Sequence, residues 1–189
     1  ASLAFGPDGN PAISYYYATD KKLMFASFDG ATWNKQTIFT GNTYQTGMYN
    51  SLAFLPGGVP ILSWFQKYGS SYAKLHFSWR DEGQWNDSIV EGEQYGNNTG
   101  WYNSLAILDD SSLGIACYDA ESDYLRFAKT VDPITASDPN IHFIATAWSE
   151  RAGEDVQVDA SAYIGTSFCT ESGHVFSSVE VGSTLPNSI

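Results

Sequence analysis

The residues best equipped for chemistry are three acids in "YDAESDY" at 118–124: Asp119, Glu121 and Asp123. Paired carboxylates perform glycoside hydrolysis, one giving a proton and the other acting as base or nucleophile. Here they follow an apolar run, as the acids of a solvated strand-end loop do, and only Asp119 is kept as a candidate ligand contact. Three arginines could grip a substrate carboxylate through their planar forks. Arg80 lies in a turn, Arg126 in mid-strand and Arg151 in the polar loop "SERAGEDV". His76, His142 and His174 form no His-x-His or His-x-x-x-His pair, so no metal site is expected. Cys117 and Cys169 make no Cys-x-x-Cys motif. They could join the third repeat to the tail, or stand as two separate buried thiols, small hydrophobes of the kind Cys117 makes in its apolar strand. Gly-x-Ser-x-Gly, phosphate-loop, dinucleotide and Asp-x-Asp calcium patterns are absent. These residues predict no catalytic group and no cofactor.

Aromatic residues remain. They make up 15% of the chain, with 12 Tyr, 11 Phe and 6 Trp. Flat rings stack on sugars and are favoured at interfaces. Tyr17, Tyr68, Tyr72, Trp101 and Tyr102, at strand ends and in loops, are with Asp119 the candidate ligand-binding residues. Tyr68 and Tyr72 flank an insertion in the second repeat, and insertions in repeat folds map to loops on one face. Tyr15, Trp64, Phe65 and Tyr118 lie within strands and are read as packing residues.

The elements that would position these rings come from a repeat. "SLAF" stands at 2–5 and 51–54 and "SLAI" at 104–107, the later two led in by "GMYN" and "GWYN". The copies recur about every 50 residues, the length of four strands and tight turns in a propeller blade. A second strand follows in each unit ("AISYYYA", "ILSWFQK", "GIACYDA"), then a third ("KLMFASF", "KLHFSW", "YLRFAK"). Leu23, Leu75 and Leu125 correspond, as do Phe25, Phe77 and Phe127, and a spacing of two puts each pair on one face. Apolar side chains on both faces of the second strands predict sheets covered on both sides. The units are set at about 2–46, 47–99, 100–139 and a degenerate 140–189. "NIHFIATAW" at 140–148 is open to two assignments, the first strand of the fourth unit or the outer strand of the third.

The turn before the fourth strand reads "SFDGATW" at 27–33 and "SWRDEGQW" at 78–85, and a weaker copy, "SVEVGSTL", stands at 178–185. These resemble the Asp-box of sialidase-like propellers, Ser-x-Asp-x-Gly-x-Thr-Trp. The residues carrying the resemblance are Ser27, Asp29, Gly30 and Trp33; Ser78, Asp81, Gly83 and Trp85; and Ser178, Glu180, Gly182 and Thr184. It implies an all-β chain of four-stranded antiparallel propeller blades, about four of them. Their ring would be closed by strand exchange between the termini, or by residues or a partner chain beyond this one. It also implies that the turns are structural and lie away from any ligand. The family's Arg-Ile-Pro signature is absent, which argues against sialidase chemistry.

Acids outnumber bases 21 to 9, for a net charge of −12. That speaks against nucleic acid, whose phosphates need clustered Lys and Arg, and against anionic lipid surfaces. No run approaches the ~20 apolar residues of a membrane-spanning helix. Few lysines with many Asn, Ser, Thr and Tyr suggest an extracytoplasmic setting, secreted or at a cell surface. Function is read as a non-catalytic module that binds a glycan or a protein surface through Tyr-rich loops. The alternatives are a fragment of a sialidase-like hydrolase or lyase with its catalytic residues elsewhere, and a structural subunit of a larger assembly.

Overall fold

A computed structural model describes residues 1–41, 45–68, 72–92, 98–108, 111–130, 143–148 and 159–160. These form three antiparallel sheets and, among the described residues, no helix. The first sheet runs β1 (Ser2–Phe5), β2 (Pro11–Tyr17), β3 (Lys22–Phe28), β4 (Trp33–Thr40) in spatial as in chain order. The second repeats this with β5 (Thr46–Phe54), β6 (Pro60–Tyr68), β7 (Tyr72–Asp81) and β8 (Gln84–Glu91). The third holds β9 (Trp101–Ile107), β10 (Leu113–Asp119), β11 (Tyr124–Thr130), β12 (Phe143–Trp148) and the short β13 (Asp159–Ala160). The described sheets do not close into a ring.

The strands follow from alternation and local turns. Each first hairpin uses the same five-residue turn, closed by Gly6 N–H to Asn10 O, Leu55 N–H to Val59 O and Leu108 N–H to Ser112 O at 2.8–2.9 Å. One position in it takes positive φ: Gly9 at 77°, Gly58 at 79° and Ser111 at 63°. Glycine does this without steric cost and serine does not.

The assignment of 140–189 to a fourth unit is corrected by the third sheet. β12 pairs antiparallel with β11, Thr130 opposite Phe143 and Leu125 opposite Trp148. "FIATAW" is therefore the outer strand of the third unit, supplying the hydrogen bonds that β11 would otherwise lack. The unit does not end at 139. The weaker turn copy, with Ser178, Glu180, Gly182 and Thr184, lies outside the described residues.

The second sheet lies between the other two. Ala12, Leu23 and Phe25 of the first sheet pack on Leu52, Leu62 and Trp64 of the second. From its opposite face Ile61, Leu75, Phe77, Trp79 and Val90 pack on Leu105, Leu113, Ile115, Cys117, Ala128 and Phe143. β6 is accordingly buried from Pro60 to Gln66. Each such side chain contributes about 1.5–3 kcal/mol when fully buried. Equivalent positions differ on the outer faces: Leu23 and Leu75 are buried, while Leu125 is 51% exposed.

The repeated lead-in "Gly-x-Tyr-Asn-Ser" ties the sheets together. Ser14 Oγ donates to Asn50 Oδ1 at 2.6 Å, and Asn50 Nδ2 donates back to Gly47 O at 2.7 Å. One unit later Ser63 Oγ donates to Asn103 Oδ1 at 2.6 Å, and Asn103 Nδ2 to Gly100 O at 3.0 Å. Ser2 Oγ accepts the Leu52 N–H, and Ser51 Oγ accepts the Leu105 N–H, both at 3.0 Å. Each tie joins one sheet to the next. Gly47 and Gly100 hold φ near 90°, and a Cβ on Gly47 would come within 2.6 Å of Leu23 Cβ. On Gly100 it would come within 3.0 Å of Leu75 Cα. Only glycine lets the chain cross so close to the preceding sheet. The third unit carries Ala116 where the first two carry Ser14 and Ser63, so the hydroxyl donor stops there.

Candidate functional site

Tyr17, Tyr68 and Asp119 end the second strands of their units, Tyr72 begins a third strand, and Trp101 and Tyr102 begin β9. Antiparallel order puts all six at one end of the sheets, opposite the turns at 29–32 and 82–83. The structure joins some of them. Tyr68 and Tyr72 face each other across the β6–β7 ladder, ring centroids 5.4 Å apart. Lys74 Nζ stands 5.4 Å from the first ring and 5.6 Å from the second, within cation–π reach. Tyr68 donates its hydroxyl to Gln66 Oε1 at 2.6 Å.

A second cluster centres on a residue outside the sequence-based set. Tyr49 occupies the same lead-in place as Tyr102; both take positive φ, 48° and 51°. Their ring centroids lie 4.5 Å apart. Tyr49 also meets Trp101 and Phe65 at 5.5 Å each, and Phe65 meets Trp101 at 4.7 Å. Trp101 Nε1 donates to Asn98 Oδ1 at 2.8 Å, and Lys67 Nζ stands 5.6 Å over its ring. Phe65 is fully buried beneath, while Tyr102 is 68% exposed. The signal for Tyr49 was in the repeat, since "GMYN" and "GWYN" put a tyrosine in the same place. Tyr17 stands on the first sheet at the same end, and no ring contact joins it to the cluster among the described residues.

Burial pushes the Tyr49 phenol up, and the hydrogen bond and charge of Tyr102 add to it. Burial raises Tyr68 as well. Both stay protonated near neutral pH. A phenolate nucleophile needs the opposite shift, so these tyrosines offer flat faces and hydroxyls, not nucleophiles.

Asp119 presents no carboxylate to a ligand. It is 2% exposed and accepts from Arg126 Nε at 2.8 Å, Ser122 Oγ at 2.7 Å and the Glu121 N–H at 3.0 Å. Burial works against its charge, but Ser122, the Glu121 N–H and Arg126 together hold its pKa below the usual carboxylate range. Arg126 reaches back across the sheets to pair with Glu91 of β8, which also accepts from Thr99 Oγ1 at 3.2 Å. Burial pushes the Glu91 carboxyl up, against the pull of Arg126 and Thr99. Between the first and second sheets, Phe39 and His76 hold the equivalent places, 6.0 Å apart. The acid–arginine–acid chain is thus the ionic form of an inter-sheet contact. Its acids are committed to Arg126 and are not available as general acid and base. Beside it, Cys117 is a free, buried thiol whose pKa burial drives up to about 12, which removes it as a nucleophile. Cys169 lies outside the described residues.

The turns at the other end differ from each other. Asp29 Oδ1 accepts the Ala31 and Thr32 N–H groups at 2.9 and 2.7 Å, and Oδ2 accepts from Thr32 Oγ1 and Asn34 Nδ2 at 3.0 and 2.9 Å. Gly30 follows at φ 95°, and Trp33 tilts onto Phe28 at 5.5 Å. The second turn is a two-residue hairpin. Asp81 pairs with Gln84, and Glu82 and Gly83 take φ 45° and 83°. The extra residue before Asp81 places it in the ladder instead of at the head of the turn. Trp85 packs edge-on to Phe25 at 5.2 Å and donates to Gln36 Oε1 at 3.1 Å, linking two sheets. Ser78 is buried in a relay, accepting from Trp64 Nε1 and donating to Asp87 Oδ1, each at 2.9 Å. Asp87 Oδ2 in turn meets His76 Nδ1 at 2.9 Å. Ser27 lies in β3 opposite Asn34. Arg80 sits at this end and Arg126 towards the other, so these two do not converge on one ligand carboxylate. Arg151 lies outside the described residues.

No family model and no curated protein matches the chain. Among solved structures, a fucose lectin from Kordia zhangzhouensis in complex with methyl-fucoside is similar at a TM-score of 0.48 and 10% identity. That likeness covers 83% of this chain and 95% of that one. Likeness at this level says nothing about a ligand, so any reading of function rests on the residues of this chain.

Proposed function

We propose that the chain is a non-catalytic carbohydrate-binding module that holds a sugar against the ring cluster of Tyr49, Trp101 and Tyr102. The carrying observation is the exposed Tyr102 ring stacked on Tyr49 above the buried Phe65. Such a ledge offers a rigid apolar plane at low entropic cost, with phenol and amide groups at its rim for hydroxyls. Tyr68 and Tyr72, with Lys74, would extend it along the second sheet. We read the three sheets as successive blades of a β-propeller of the sialidase-like, Asp-box kind, a reading supported by their stacking in chain order and by the Asp29 turn. An extracytoplasmic setting suits a glycan binder with this composition.

The test is a glycan array followed by titration calorimetry on the best ligand. Selective, saturable binding is expected, and Tyr102→Ala should weaken it about tenfold or more, the scale of 1.4 kcal/mol. Absence of binding to every sugar, or binding that Tyr102→Ala leaves unchanged, sinks the proposal.

A further inference from the structure

Two outer faces of the stack are the two halves of an interface that the molecule already makes twice. The first-to-second and second-to-third junctions use equivalent residues. The face that carries Leu23 in the first sheet carries Leu75 in the second and Leu125 in the third. The opposing face carries Leu52 in the second sheet, Leu105 in the third and Leu3 in the first. At the internal junctions these leucines are buried; Leu125 and Leu3 are 51% and 58% exposed, and Phe5 beside Leu3 is 63% exposed. The polar tie has the same phase. Ser2 Oγ takes the Leu52 N–H and Ser51 Oγ takes the Leu105 N–H. Ser104, exposed on β9, is the next serine in that series, and Leu3 is the leucine equivalent to Leu52 and Leu105.

We propose that the Leu125 face of the third sheet receives the Leu3 face of the first sheet of a second copy of this chain, head to tail. The Leu3 N–H of one copy would donate to Ser104 Oγ of the other. Ala116 agrees with this junction: the Ser14 and Ser63 hydroxyls need an asparagine acceptor from the next sheet, and Ala116 needs none. The contact is heterologous, so successive copies close into a ring or run on as a filament according to the rotation per sheet. Two copies that close would stack six described sheets. The interface is apolar while each copy carries a net charge of −12. Screening the repulsion should therefore tighten it, whereas an interface held by ion pairs would loosen with salt. The proposal does not depend on the glycan reading.

The experiment measures mass by light scattering from low to high micromolar concentration, at low and at 0.5 M salt, for the wild type, Leu3→Glu, Leu125→Glu and their equimolar mixture. The wild type should run at twice the chain mass or a higher multiple, more completely at high salt. Each variant alone should fall to the monomer. The mixture should recover a dimer, because one partner keeps an intact Leu125 face and the other an intact Leu3 face. A wild type that stays monomeric throughout overturns the proposal, as does an oligomer that either variant leaves unchanged. An oligomer that the mixture cannot restore points to a face pairing with itself and overturns it too. A monomer whose Leu125→Cys thiol is shielded from alkylation would instead place a segment of the same chain on that face. Leu3→Ser and Leu125→Ser, checked by circular dichroism, replace any glutamate variant that fails to fold.

Discussion

At the scale of the residue, Asp29 and Ser111 show how a turn depends on one side chain. Asp29 accepts four hydrogen bonds, the largest influences being the Thr32 and Ala31 N–H groups, and they hold its carboxyl well below the model value of 3.8. A depressed acid stabilises the fold above its unfolded pKa and loses that contribution as pH falls toward its folded value. Asp29→Ala should therefore melt lower than the wild type at pH 7, and the gap should close below about pH 4. A gap independent of pH would assign the effect to the turn's shape alone. Ser111 holds φ 63° where the other two units have glycine. Ser111→Gly should raise stability by about 1 kcal/mol, the approximate cost of a left-handed conformation for a side chain, seen as a higher denaturant midpoint at unchanged slope. Asp29 was legible in the sequence, because a turn is local. Asp119 was not: its partner Arg126 comes from a facing strand, and Glu91 beyond it from another sheet.

At the scale of the element, the Asn–Ser ties carry the argument. Ser63 is fully buried, and Asn103→Ala leaves its hydroxyl without an acceptor. The expected loss is about 1–3 kcal/mol. Adding Ser63→Ala to Asn103→Ala should cost less than the two single changes summed, since both remove the same bond. Additive costs would mean that the two residues act separately. The strands themselves were legible from period-two alternation and turn residues, and so was the equivalence of the copies. The purpose of "Gly-x-Tyr-Asn" was not, because it lies between sheets. Nothing local says that the asparagine reaches back to a serine about one unit earlier. "FIATAW" was undecided for the same reason: its apolar alternation suits either an inner or an outer strand, and only its pairing with β11 chooses.

At the scale of the whole molecule, position in the stack decides what a residue does. Leu23, Leu75 and Leu125 are the same letter in the same place, and burial of the first two and exposure of the third follow only from which sheet has a neighbour. Sequence periodicity predicted the face each would share, but not that difference. The ring cluster obeys the same logic, since it needs two adjacent lead-ins before Tyr49 and Tyr102 can meet. A single unit could present one such tyrosine but not the stacked pair.

The lead-in phrase thus couples two properties that proteins more often keep apart. In four residues its glycine permits the crossing, its asparagine locks one sheet to the last, and its tyrosine supplies one plank of an aromatic floor. Copying the phrase once more would lengthen that floor by one ring and add the lock that keeps the ring in line, without further invention. Contact area and mechanical cohesion grow here by the same increment, so a chain of this design cannot widen its grip without also strengthening its spine.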